Sequence, residues 1–170
     1  MMSRFQISVL GASALGFAFL AVKPLANPSP FIIWNASQSV PIGWYFVSKR
    51  QPENGEIAVI KPSEWVQIYA AQRGYLPSNI WLLKPIFASH PSVVCRFGEH
   101  VLVDGKHVAK ARHFDRKRRL LPSWKGCKTL KPDTVFVLGR HPDSFDSRYF
   151  GSVNRAQIAG TAVSFNSFFK

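Results

Sequence analysis

The sequence predicts a mainly β domain with one short helix, preceded by an apolar N-terminal segment long enough to form a transmembrane helix. Short runs rich in aromatic and β-branched residues recur along the chain, among them Trp44 to Ser48, Glu56 to Lys61, Ile80 to Phe87 and Ile158 to Ser164. Turn-forming stretches separate them, including Pro52-Glu53-Asn54-Gly55 and Asp104-Gly105. Beyond the N-terminus, one segment alone carries both a start and a stop signal for a helix.

From Phe5 to Val22 the chain has no charge, and Gln6, Ser8 and Ser13 are its polar side chains. That run lies at the short end for crossing a bilayer and exceeds the usual core of a signal peptide, so residues 1–23 read as an uncleaved anchor. Small residues between Ala18 and Ala26 keep a cleaved signal as the competing reading. Arg4 before the run and Lys23 after it balance one another, and the free amine with the short leading end favours a cytoplasmic N-terminus, with the rest of the chain delivered outside. Residues 24–30 contain three prolines and read as a stiff linker; residues 31–170 form one domain.

Within the domain, Phe31 to Trp34 form an apolar cluster assigned to the core, with the bilayer interface as the alternative. Trp44 to Ser48 and Glu56 to Lys61 are expected to pair as a hairpin. Ser63 is placed to cap a helix, Glu64 to suit its positive first turn and Gly74 to end it. Ile80 to Phe87 reads as a buried strand, with Ile80, Leu82, Lys84 and Ile86 on one face and Trp81, Leu83 and Phe87 on the other. Val101 to Val103 and Val108-Ala109 flank a tight turn at Asp104-Gly105, and Thr134 to Leu138 and Ile158 to Ser164 supply later strands.

Lys+Arg number 22 against 9 Asp+Glu, a formal charge of +13, and much of the excess lies between Lys106 and Arg119. No helix-turn-helix, zinc-finger or aromatic-basic sheet motif accompanies this cluster, so a nucleic-acid partner is not expected. A solvated loop is the plainest account; attraction to anionic lipid or an acidic partner is the other. The two cysteines, Cys95 and Cys127, lack metal or redox spacing. They fit one disulfide in an exported domain or two reduced core thiols, and Val93 and Val94 suggest a buried place for Cys95.

Three stretches carry chemistry. Ser37 and Ser39 lie two apart on a segment stiffened by Pro41 and turned by Gly43, so an extended backbone would project both hydroxyls together. The same residues also suit an ordinary turn. Lys84 lies among apolar neighbours. At an ordinary pKa of about 10.4 only roughly one lysine in two thousand is neutral at pH 7, so service as a base requires burial to lower that value; a stem on the sheet with its head in water is the competing reading. The loop His141 to Gly151 is dense in hydrogen-bonding groups, and Asp146 and Arg148 are spaced to brace one another.

Ser37-x-Ser39-x-Pro41, then a lysine on an apolar strand, then Ser144-x-Asp146-Ser147-Arg148-Tyr149-Phe150-Gly151, in this order behind a membrane segment, resembles the bacterial type I signal peptidase family. Ser39-x-Pro41-x-Gly43-x-Tyr45 is similar to its TraF-type conjugal-transfer branch. The resemblance implies a mainly β signal-peptidase-like domain and a Ser/Lys dyad: Ser39 as nucleophile, Lys84 as general base, and the Ser37 hydroxyl with the Ser39 backbone N–H as oxyanion hole. Ser144, Asp146 and Arg148 would support the site, and neither cofactor nor metal is expected. It also implies a single-pass inner-membrane protein with a periplasmic catalytic domain, acting on a secreted precursor such as a conjugative pilin propeptide and working beside a transfer apparatus. Val40 and Pro85 depart from the Ser-Met and Lys-Arg pairs common in general signal peptidases, which favours a dedicated precursor over housekeeping. A non-enzymatic periplasmic subunit of a transfer or secretion apparatus is the alternative.

Overall fold

The computed structural model describes residues 29–77 and 79–169. The expected anchor over residues 1–23, and the linker up to residue 28, lie outside the described residues. Among the described residues no helix is long and apolar enough to cross a membrane.

In chain order, β1 (Ile32–Asn35) and β2 (Gly43–Ser48) pair antiparallel across the turn 36–42. Then come β3 (Ile57–Ile60), α1 (Glu64–Gln72) and β4 (Leu82–Ser89). Four strands, β5 (Val93–Phe97), β6 (His100–Val103), β7 (Lys106–Lys110) and β8 (Gly126–Thr129), make a separate sheet in the order β7-β6-β5-β8. β9 (Thr134–Val137), the helical turn α2 (Ser147–Phe150), β10 (Val153–Asn154) and β11 (Ile158–Ser164) complete the chain, and the larger sheet runs β1-β2-β11-β3-β4-β9-β10. The mainly β class is as the sequence predicts; α2 is a second helical segment beside the expected one.

Period-two alternation places core on both faces of the larger sheet. Ala58, Ile60, Leu82 and Ile86 pack with Val135 and Val137 in one cluster, while Val59 and Leu83 pack with Val40, Tyr45 and Ala162 in another. Leu82 and Ile86 therefore face one way and Leu83 the other, as read from the sequence, but the strand is Leu82–Ser89 instead of a buried Ile80 to Phe87, and Ile80 and Phe87 are exposed. A third cluster, built on Val94, Val101, Phe136 and Leu138, joins the two sheets. Asp104 and Gly105 both have positive φ, 50° and 76°, as a tight hairpin turn requires.

Four expectations are corrected. β2 and β3 do not pair: β11 lies between them, hydrogen-bonded to both. Gly160 permits this insertion, because a Cβ there would come 2.9 Å from the Ser48 carbonyl carbon and closer still to its oxygen, and β11 bulges against β3 at this point. The cluster Phe31 to Trp34 is not core. β1 is an edge strand, and Phe31 is 73% and Trp34 51% exposed. Ser63 is the N-cap residue of α1 but its side chain makes no capping bond; the other end matches expectation, with Gly74 at φ 68° and bonds from Gly74 N to Ala71 O and from Tyr75 N to Ala70 O. Finally, the buried place read for Cys95 is not found: Cys95 and Cys127 face one another on β5 and β8 and form the expected disulfide, but Cys95 is half-buried and Cys127 exposed.

Candidate active site

Lys84 lies in the middle of β4, flanked by β3 and β9, and is 4% exposed. Its amine is 2.5 Å from Ser39 Oγ and 2.6 Å from Ser144 Oγ, and the two hydroxyls are 2.8 Å apart. The three groups form a closed triangle drawn from residues 45 and 60 apart in sequence. Burial is the largest influence on the amine and lowers its pKa from 10.5 to about 8; the Asp146 carboxylate opposes the shift and the Arg148 guanidinium adds to it.

Each corner of the triangle has its own support. The segment 36–42 is a turn, so the extended-backbone argument for Ser37 and Ser39 does not apply: Ser39 turns inward, while Ser37 is bound to Asn35. Asn35 is buried at the end of β1. Its Oδ1 accepts from the Ser37 N–H (3.1 Å) and hydroxyl (3.0 Å), and its amide donates to the carbonyls of Ser37, Val40 and Pro41 (2.7, 3.1 and 2.9 Å). The Tyr45 hydroxyl adds a 2.7 Å bond to Pro41 O, and Arg140 N donates to Ser39 O. The Ser39 N–H has no acceptor among the described residues.

Behind Ser144, Asp146 and Arg148 form a buried two-point pair, Nε to Oδ1 at 2.8 Å and Nη2 to Oδ2 at 2.7 Å. Asp146 also caps α2 through Arg148 N and accepts from Gly139 N, and Arg148 donates to the carbonyls of Gly139, His141 and Pro142. The pair thus holds the whole loop from β9 to α2. It touches neither Lys84 nor Ser39; it acts by placing Ser144. Gly139 completes the fit, since a Cβ there would fall 2.8 Å from Ser144 Cβ and 3.2 Å from Ser39 Cβ.

Sequence reasoning singled out Ser37, Ser39, Lys84, Ser144, Asp146 and Arg148. The structure joins Ser39, Lys84 and Ser144 in one hydrogen-bonded triangle, sets Asp146 and Arg148 behind it, where the His141 carbonyl accepts from both Ser144 N and Arg148, and leaves Ser37 beside it on Asn35. Asn35 and Gly139 were missed. Asn35 had a signal, since an Asx side chain two residues before Ser37 is positioned to turn the chain; Gly139 had none.

The triangle opens into a cleft of about 1000 Å³. Ile32 to Trp34 and Ile80 to Leu83 give it an apolar side; Arg112 and the loop Asp115 to Arg119 give it a basic one. Among the described residues no group of His, Cys, Asp and Glu is arranged to hold a metal. A buried, desolvated amine in contact with a hydroxyl at the end of an open cleft is equipped to take a proton from that hydroxyl as it attacks.

The family model for signal peptidases, peptidase S26, matches residues 4–166. The chain belongs to the signal peptidase family. It is similar to the plasmid transfer protein TraF of Escherichia coli, 30% identical over 178 aligned residues that cover 92% of this chain and 94% of the relative. A second Escherichia coli plasmid transfer protein TraF is 28% identical over 135 residues, covering 73% and 76% of the two chains. These matches show a TraF-type member of the signal peptidase family. Among solved structures, a signal peptidase I from Enterococcus faecalis is 20% identical, with a TM-score of 0.38 over 67% of this chain and 98% of that one.

Proposed function

We propose that this family member is a membrane-anchored serine endopeptidase that matures a secreted precursor, a conjugative pilin propeptide above all. The observation that carries the reading is the buried Lys84 amine 2.5 Å from Ser39 Oγ. Neutral Lys84 takes the Ser39 proton as Oγ attacks the scissile carbonyl carbon, and the resulting ammonium returns it to the departing amine as the C–N bond breaks, leaving an ester on Ser39. Water, deprotonated by the same amine, then releases the acid; an amine from the substrate's own start would instead close it into a ring. The Ser39 N–H, without an acceptor among the described residues, and the Ser37 hydroxyl, once turned from Asn35, supply the oxyanion donors, each worth about 3–4 kcal/mol. Ser144 keeps the amine on Ser39.

The apolar N-terminal run and the exposed Phe31, Ile32 and Trp34 support an inner-membrane anchor with the site held near the periplasmic surface. The likeness to plasmid transfer proteins supports a transfer apparatus as the setting.

The test is cleavage of a pilin precursor by the full chain in detergent, compared with Ser39→Ala and Lys84→Ala. Loss in both variants with folding intact is expected. Full activity in either overturns the dyad, and a chain that cuts nothing in any form fits a structural subunit. The product's mass separates hydrolysis, which adds a water, from ring closure, which does not.

A further inference from the structure

The basic side of the cleft has no role in the dyad chemistry. Arg73, Arg112, Arg116, Lys117 and Arg119 line it against two carboxylates, Asp115 and Asp143, so five cations less two anions leave +3. Asp115 is used up in shaping its own loop: Oδ1 accepts from Lys117 N and Arg119 N, and Oδ2 from the Tyr75 hydroxyl and Arg119 Nε. Asp143 is different. Arg116 donates twice to its Oδ2, at 3.0 and 2.6 Å, and these bonds hold the carboxyl below its usual pKa range. Arg112 lies 2.8 Å from Oδ1 without hydrogen-bond alignment. Both arginine side chains remain more than half exposed, and Lys117 is exposed with no ion pair among the described residues. Asp143 immediately precedes Ser144, so one internal carboxylate draws two arginines to the rim of the Ser39–Lys84–Ser144 triangle.

We propose that this wall is a carboxylate-binding subsite: Arg112 and Arg116, with Lys117, take a carboxylate of the substrate beside the scissile bond, and Asp143 occupies the subsite until substrate displaces it. Guanidinium forks suit carboxylates, and an exposed pair exchanges one carboxylate partner for another at little cost. The carboxylate comes from an Asp or Glu side chain or from a free chain end. The inference deepens the peptidase reading in naming its substrate, but its test reads binding and does not need turnover.

The experiment measures fluorescence anisotropy of labelled peptides, alanine- and leucine-rich, on the full Ser39→Ala chain in detergent at about 0.15 M salt, where the general +13 field is screened beyond about 8 Å. A Glu-containing peptide is compared with its Gln counterpart, each as free acid and as C-terminal amide. The acidic form is expected to bind about tenfold more tightly. Loss of that preference on Glu→Gln assigns a side chain, and loss on amidation assigns a chain end. Lys117→Gln, and separately Arg112→Gln/Arg116→Gln, should weaken the acidic peptide several-fold and leave the neutral one unchanged, whereas Lys128→Gln/Lys131→Gln, away from the cleft, should change neither. Asp143→Asn should tighten acidic binding, which a purely structural Asp143 would not do. Equal binding of all four peptides, equal losses from cleft and distant variants, or weaker acidic binding in Asp143→Asn overturns the proposal. Failure of the cleavage assay above does not bear on these outcomes.

Discussion

Lys84→Met tests the reasoning about the buried amine in two directions at once. Folding moves the amine's pKa from 10.5 to about 8. Between those values the unfolded chain holds a proton that the folded chain has lost, so stability rises with pH through that window; below about 8 the full cost of the burial is present. At about 1.36 kcal/mol per unit, that cost is about 3 kcal/mol at pH 7. Methionine fills a similar volume without charge, and the Ser39 and Ser144 hydroxyls, 2.8 Å apart, still satisfy one another. The variant is therefore expected to be inactive, yet more stable than the native chain by about 1–3 kcal/mol at pH 7, with the gap closing towards pH 10. Urea titrations of both chains at several pH values measure it. In the native chain kcat/KM should rise about tenfold per pH unit and level off near pH 8, because the neutral fraction at pH 7 is about one in ten instead of about one in three thousand. A stability loss independent of pH in Lys84→Met, or an activity profile still climbing at pH 10, would refute the account.

Gly139→Ala should destabilise the fold by about 1–3 kcal/mol and cut kcat more than it raises KM, because the new methyl pushes Ser144 off Lys84; thermal melts and kinetics read the two effects. Asp146→Ala strands a buried guanidinium and should cost about 3–5 kcal/mol, partly recovered in Asp146→Ala/Arg148→Met, as denaturant midpoints will show. Asn35→Ala frees three carbonyls of the nucleophile turn, costing about 1–2 kcal/mol and lowering kcat, with Asn35→Asp rescuing only the bonds its oxygen accepts. Reducing Cys95–Cys127, 32 residues apart, should remove about 3–4 kcal/mol while sparing activity well below the transition, since the bridge ties the smaller sheet.

The strands were legible where a run had a turn signal on each side. Ile158 to Ser164 was read to the residue and Thr134 to Leu138 to within one, and the Asp104-Gly105 hairpin forms as expected. Pairing was less legible. Nothing near Ser48 or Ile57 announces that a strand from residue 158 onward will enter between them, because the enabling feature is a missing Cβ at Gly160, a contact distant in sequence. β5 and β8 were missed for a related reason: their shared bridge, with Val93, Cys127 and Thr129 outside the core, leaves weak apolar alternation to read. Phe31 to Trp34 misled because composition says how apolar a segment is and not whether anything covers it. An edge strand is a place where an apolar face can be left bare.

The site was legible in its proposed reacting groups and charged supports and illegible in its backbone supports, and the difference is physical. A proposed nucleophile and base must be particular residue types, as must a buried ion pair, so Ser39, Lys84, Asp146 and Arg148 stand out as types. What holds them is mostly backbone: Asn35 works through the carbonyls of Ser37, Val40 and Pro41, Arg148 through those of Gly139, His141 and Pro142, and any chain has such groups everywhere. The supports also run one way. Asp146 and Arg148 fix the loop, the loop fixes Ser144, and Ser144 fixes the amine, so damage to the ion pair should reach Lys84 through position as well as through the charges themselves. Asp146 in fact opposes the lowered pKa of Lys84. A variant that loses Asp146 yet still folds should therefore show slower turnover and a lower apparent pKa; an unchanged turnover or a rise in that pKa would refute this account.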